Sequence, residues 1–108
     1  MLAISRFREV DDELARGLRA VAELWRSRPG CLGVDLVANL DEPDLWALVS
    51  RWRDVGSYRR AFSGSETKLL LTPVLLRAVN EPSAYLDPDE LAGNDIPWPG
   101  VSGDPGEV

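Results

Sequence analysis

The chain of 108 residues contains no histidine and a single cysteine. Without histidine, Ser-His-Asp and Cys-His nucleophile systems are excluded. Most zinc and non-haem iron sites go with them, since imidazole is their usual ligand. An axial histidine for haem is equally absent. Cys31 cannot form an internal disulfide, which agrees with a reducing compartment. No apolar run comes near the roughly 20 residues that span a membrane. The first residues, MLAISRFREV, show neither an apolar signal core nor a small-residue cleavage site, so a cytoplasmic location is expected. Basic residues are missing from one region altogether. Residues 1–80 carry twelve Arg/Lys against eleven Asp/Glu, whereas residues 81–108 carry seven acids and no base. A nearly neutral body with an acidic tail argues against nucleic-acid binding, which needs a basic surface to displace phosphate counterions.

What is present reads as one small α+β domain. Residues 2–8 alternate as a strand, with Leu2 and Ile4 on one face and Ala3 and Phe7 on the other. Asp11, Asp12 and Glu13 place negative charge at a helix start. Leu14, Leu18, Val21 and Trp25 then form an apolar stripe that ends at Pro29-Gly30. Residues 31–39 predict a second strand with Leu32, Val34, Leu36 and Ala38 on one face. After the turn Asp41–Asp44, residues 45–53 predict a third strand paired to it as a hairpin. That strand is apolar on both faces, with Trp46, Leu48 and Trp52 opposite Leu45, Ala47 and Val49. Asp54 caps a short helix with Val55, Tyr58 and Phe62 inward. Ser63 and Glu66 have capping-box spacing for another helix, ending at Thr72-Pro73. Residues 74–80 predict a fourth strand. Residues 86–108 read as an extended Pro/Gly-rich tail docked through Ile96 and Trp98.

The order β-α-β-β-α-β is the ferredoxin-like arrangement, an antiparallel sheet with helices on one face. Apolar side chains on the other face predict a homodimer packed sheet to sheet, which hides a patch larger than monomers usually expose.

The stretch RPGCLGVDL, a hairpin, and then WALVSRWRDVGSYRRAFS resembles the antibiotic biosynthesis monooxygenase family over residues 1–85. Its marks are a Pro-Gly-x-x-Gly lead into the second strand, a Trp ending the third and a short helix directly after. The resemblance implies a dimeric α+β barrel. It also implies cofactor-independent oxidation of a small aromatic, phenolic or quinone-type metabolite by O2, with no metal. In oxidising members the Trp ending the third strand and a Tyr six residues on line the ligand cavity. Those positions are Trp52 and Tyr58, the catalytic candidates. An Asn that oxidising members carry four residues before the Trp is Leu48 here. The His that haem-degrading members carry after it is missing from RRAFS, which disfavours haem degradation. Two other readings share the fold: a non-catalytic dimeric module for a small apolar ligand, and a haem-binding protein.

Trp46, Leu48 and Phe62 are expected to line the substrate side, with Arg6 and Arg77 pointing into a polar cavity from within strands. Trp52 and Tyr58 could equally be packing residues. Arg51 and Arg53 have the opposite parity to Trp52. Arg59 and Arg60 lie off the inner helical stripe, so these four arginines read as surface charge or as a rim that attracts an anionic ligand. Ser65 and Lys68 match S-x-x-K, but the companion motifs of acylating enzymes are missing. Asp87 and Asp89 lack the glycine and distal glutamate of a calcium loop.

Overall fold

The computed structural model describes residues 1–92. Strand β1 (Leu2–Phe7) leads into helix α1 (Asp12–Arg26), and β2 (Cys31–Ala38) and β3 (Trp46–Trp52) form a hairpin. Helices α2 (Val55–Arg60) and α3 (Ser65–Leu75), strand β4 (Ala84–Tyr85) and the short helix α4 (Pro88–Ala92) follow. The strands lie in the order β2-β3-β1-β4, all neighbours antiparallel. No described helix is long and apolar enough to cross a membrane.

Helix α1 begins where charge and capping dictate. Asp11 accepts a hydrogen bond from the Leu14 amide at 2.8 Å, and Asp12 and Glu13 occupy the first turn. Leu14, Leu18, Val21, Ala22 and Trp25 are buried along its inner face. They meet Phe7, Val34, Leu48 and Trp52 from the sheet and Leu71 and Val74 from α3 in one core. The chain leaves α1 through Gly30, whose φ of +84° lies in the left-handed region. Any Cβ there would meet the Ser57 side chain at 2.2 Å.

Four expectations are corrected. Residues 74–80 are not a strand: α3 continues through Pro73 to Leu75, and Arg77 sits in the turn after it, exposed. Proline is tolerated in α3 because the carbonyl it leaves unpaired belongs to Leu69, 78% exposed and therefore open to water. The fourth strand is instead the two-residue β4, with Ala78 making one isolated bridge to Phe7. Secondly, Ser63 does not cap α3; Gly64 stands at the cap, and Ser63 Oγ donates back to the Arg60 carbonyl. Thirdly, a bulge between Cys31 and Gly33 breaks the alternation of β2, and Leu32 leaves the core at 69% exposure. Lastly, the tail is not extended throughout, since α4 starts behind Asp87, which accepts from the Asp89 amide at 2.8 Å. Ile96 and Trp98 lie outside the described residues.

One sheet face carries the helices. The other presents Leu2, Ile4 and Arg6 from β1, Ala47, Val49 and Arg51 from β3, and Asp35 and Val37 from β2, as the strand register places them. Leu2, Ile4, Ala47 and Val49 are half-buried and Val37 is exposed.

Candidate functional site

Strand β3 ends in Trp52, and Asp54 starts α2 at once by accepting from the Ser57 amide at 2.7 Å. This tight junction brings Tyr58 back over the indole it follows in sequence. The Trp52 and Tyr58 rings lie 5.9 Å apart, edge to face. Phe62, one turn further, sits 5.0 Å from Tyr58. Trp25 of α1 completes the group, at 5.8 Å from Trp52, 6.4 Å from Tyr58 and 5.5 Å from Phe62. All five contacts are edge-on, the arrangement that the ring quadrupoles favour.

Trp52 and Trp25 are fully buried, whereas Tyr58 and Phe62 are half-buried. The Trp52 indole N–H donates to Ser50 Oγ at 2.8 Å. The Trp25 indole N–H is buried with no hydrogen-bond partner among the described residues. Burial pushes the Tyr58 hydroxyl above its ordinary pKa, and a hydrogen bond with Ser83 offsets this in part. At neutral pH Tyr58 is therefore a protonated donor rather than a base. A groove of about 340 Å³ opens on the outer side of Phe62, lined also by Lys68, Leu71, Thr72, Leu75 and Leu76.

Of the residues singled out in the sequence, Trp52, Tyr58 and Phe62 come together. Leu48 is buried on the same sheet face as Trp52, one pleat beyond Ser50. Trp46 lies at the opposite end of β3, about 20 Å away along the strand. Its indole N–H donates to the Pro43 carbonyl at 2.9 Å, and Arg19 stacks over its ring at 5.5 Å. Arg6 is on the bare sheet face, in a bidentate pair with Glu81 at 2.7 Å. That pair raises the Arg6 pKa and lowers the Glu81 carboxyl below its usual range. Arg77 is exposed on a turn. Ser65 and Lys68 are both exposed in the first turn of α3. Trp25 was legible only as a helix-stripe residue. Its contact with Trp52 depends on how α1 crosses the sheet, which spacing along the chain does not encode.

An antiparallel β2-β3-β1-β4 sheet with its helices on one face defines a ferredoxin-like α+β protein. The sequence pattern of the antibiotic biosynthesis monooxygenase family matches residues 4–68, more than half of the chain, and the protein belongs to that family. No curated protein is significantly similar in sequence. Among solved structures, the chain is similar to SnoaB, a cofactor-independent oxygenase from Streptomyces nogalater. Identity is 18% and the TM-score 0.62, over 72% of this chain and 82% of that one. It is also similar to Rv0793 from Mycobacterium tuberculosis, at 20% identity and a TM-score of 0.62, over 77% and 86% of the two chains. A conserved protein from Methanosarcina mazei Go1 gives 16% identity and 0.61, over 77% and 84%. At these identities the likeness is one of fold.

Proposed function

We propose that the protein is a cofactor-independent monooxygenase acting on a phenolic or quinone-forming aromatic metabolite at the Trp25–Trp52–Tyr58–Phe62 cluster. The observation that carries this reading is the pair of donors in that cluster: the protonated Tyr58 hydroxyl and the unpartnered Trp25 N–H. An indole N–H only donates, so its natural ligand is an acceptor oxygen such as a phenolate or ring carbonyl. Donation from both groups to that oxygen would stabilise the anion formed when the substrate loses its proton to water. The anion then transfers one electron to O2, and the resulting radical and superoxide combine at carbon. With an anthrone, one oxygen atom becomes the new carbonyl. The other leaves as water with the two hydrogens of the ring carbon. The aromatic walls hold the flat ring by stacking. Access is from the groove beside Phe62.

The test is oxygen uptake with a panel of anthrones and hydroquinones. Turnover is expected to fall at least about tenfold in both Tyr58→Phe and Trp52→Phe. Unchanged turnover in both variants would remove this site assignment. The second reading, a ligand-binding module without catalysis, is favoured by the close ring contacts that fill the cluster. It predicts saturable ring binding with no oxygen consumed.

The working unit we propose is a homodimer joined through the bare sheet faces, supported by Leu2, Ile4, Ala47 and Val49 on the face opposite the core that α1 and α3 cover. We place it in the cytoplasm.

A further inference from the structure

We propose that the junction between β3 and α2 binds an oxyanion, a phosphate or a carboxylate, between the guanidinium groups of Arg53 and Arg60. Both groups lean on one atom. Arg53 and Arg60 each place a terminal nitrogen 3.4 Å from Ser57 Oγ, so the two nitrogens are separated by at most twice that distance. An oxyanion bridging two forks at that separation makes charge-assisted bonds to both, the geometry for which arginine is suited. Ser57 is 1% exposed and rigidly placed, since its amide donates to Asp54 Oδ1. It forms the floor of the site.

The walls are kept low by glycine. A Cβ on Gly30 would meet Ser57 Oγ at 2.2 Å and lie 3.7 Å from the Arg53 nitrogen. A Cβ on Gly56 would come within 3.1 Å of the Arg60 guanidinium. The charge is only partly compensated. Asp54 touches Arg53 Nε at 3.4 Å, but Arg60 is in no ion pair among the described residues, and neither is Arg28. Arg28, two residues before Gly30, is turned instead toward Thr67 Oγ1 on α3. Two cations thus share a corner that holds one carboxylate. Along the chain the corner borders the aromatic cluster, since Arg53 follows Trp52 and Ser57 precedes Tyr58, although Arg53 has the opposite parity to Trp52. The anion can therefore be a free ion or a group carried by the aromatic substrate; the second source rests on the function proposed above.

Inorganic phosphate is the first probe. Titrated against the isotope-labelled protein, it is expected to shift the Arg53 and Arg60 side-chain Nε–H signals saturably, while chloride at matched ionic strength does not. Arg60→Gln and Arg53→Gln are expected to raise the apparent Kd at least tenfold, and Arg59→Gln to leave it unchanged. Both substituted side chains are exposed, and circular dichroism checks that the variants fold. Non-saturable shifts, or Kd values in the Arg53 and Arg60 variants that match that of the native protein, would overturn the site. Anthraquinone-2-carboxylate and neutral anthraquinone separate the sources. A tenfold preference for the carboxylate that disappears in Arg60→Gln assigns the anion to the substrate. Phosphate binding with no such preference assigns it to a free ion. If neither ring compound binds, the aromatic site fails while the phosphate titration still decides the arginine site.

Discussion

The Trp52 indole nitrogen sits 2.8 Å from Ser50 Oγ, a bond between two side chains on the same face of β3, each 1% exposed. Such a pair is asymmetric in its energetics. Ser50→Ala leaves a buried donor without a partner and is expected to cost about 1–3 kcal/mol in urea denaturation. Trp52→Phe removes the donor with much of its ring, so the double variant should cost clearly less than the two single losses together. Additive losses would show that the bond contributes nothing of its own.

Trp25 offers the opposite experiment. Its N–H already lacks a partner, so Trp25→Phe removes an unsatisfied donor while keeping an aromatic ring. Part of the lost packing is therefore offset, and the stability loss is expected to stay within the few kcal/mol of a cavity-forming change. If the N–H holds the substrate oxygen, KM rises about tenfold in this variant and the pH profile shifts alkaline, because the substrate anion has lost a donor. A residue that only packs would move neither.

The Tyr58 hydroxyl predicts an alkaline limit. Its pKa is raised in the folded protein, so the native state retains a proton that the unfolded chain releases near pH 10. Below that pH the contribution to stability is constant. As pH rises from about 10 through the higher folded value, stability falls. Tyr58→Phe abolishes this component, and thermal melts of the two proteins between pH 8 and 11 should diverge only at the alkaline end.

How much of this was legible in the sequence follows from how local each signal is. Asp11 and Asp54 marked two helix starts because a cap is a contact over three residues. The junction of Trp52 with Tyr58 was equally local. The apolar run after Leu69 was not, since Val74, Leu75 and Leu76 fit a strand or a buried helix turn alike. Pro73 was read as a stop, although on a solvated helix face it removes a bond that water replaces. The two residues of β4 are too few to make a pattern, and they are strands only because Leu2 and Ala3 pair with them. Trp46 and Trp52 share a face by parity, and their spacing of six residues already implies a separation of about 20 Å along the strand. The bulge that expels Leu32 depends on the register with β3, which no spacing within β2 reveals.

Gly30 tests the local geometry of that junction. Its φ of +84° disfavours any side chain, and an added methyl would run into Ser57. Gly30→Ala is expected to lose about 1–3 kcal/mol from the backbone conformation, with more from the displaced Ser57. Because Ser57 is the floor between Arg53 and Arg60, phosphate affinity should fall in step. Retained affinity with lost stability would separate the loop's folding role from the proposed site.

The bare sheet face is where the proposed assembly is tested. Val49 pairs in register with Ile4 on one side and Asp35 on the other, so it stands at the middle of the exposed layer. Its side chain points away from the helices, and a charge there can reach water beside Asp35 in a lone protomer. Val49→Arg is therefore expected to leave circular dichroism unchanged. In a dimer closed about a two-fold axis, the same substitution puts two like charges into one apolar contact, where desolvation and repulsion both oppose association. Light scattering at micromolar concentration should report twice the 11.9 kDa chain mass for the native protein and the single chain mass for the variant. A native particle of single mass would end the sheet-to-sheet assembly. A Val49→Arg protein that remains dimeric would instead move the interface to another surface.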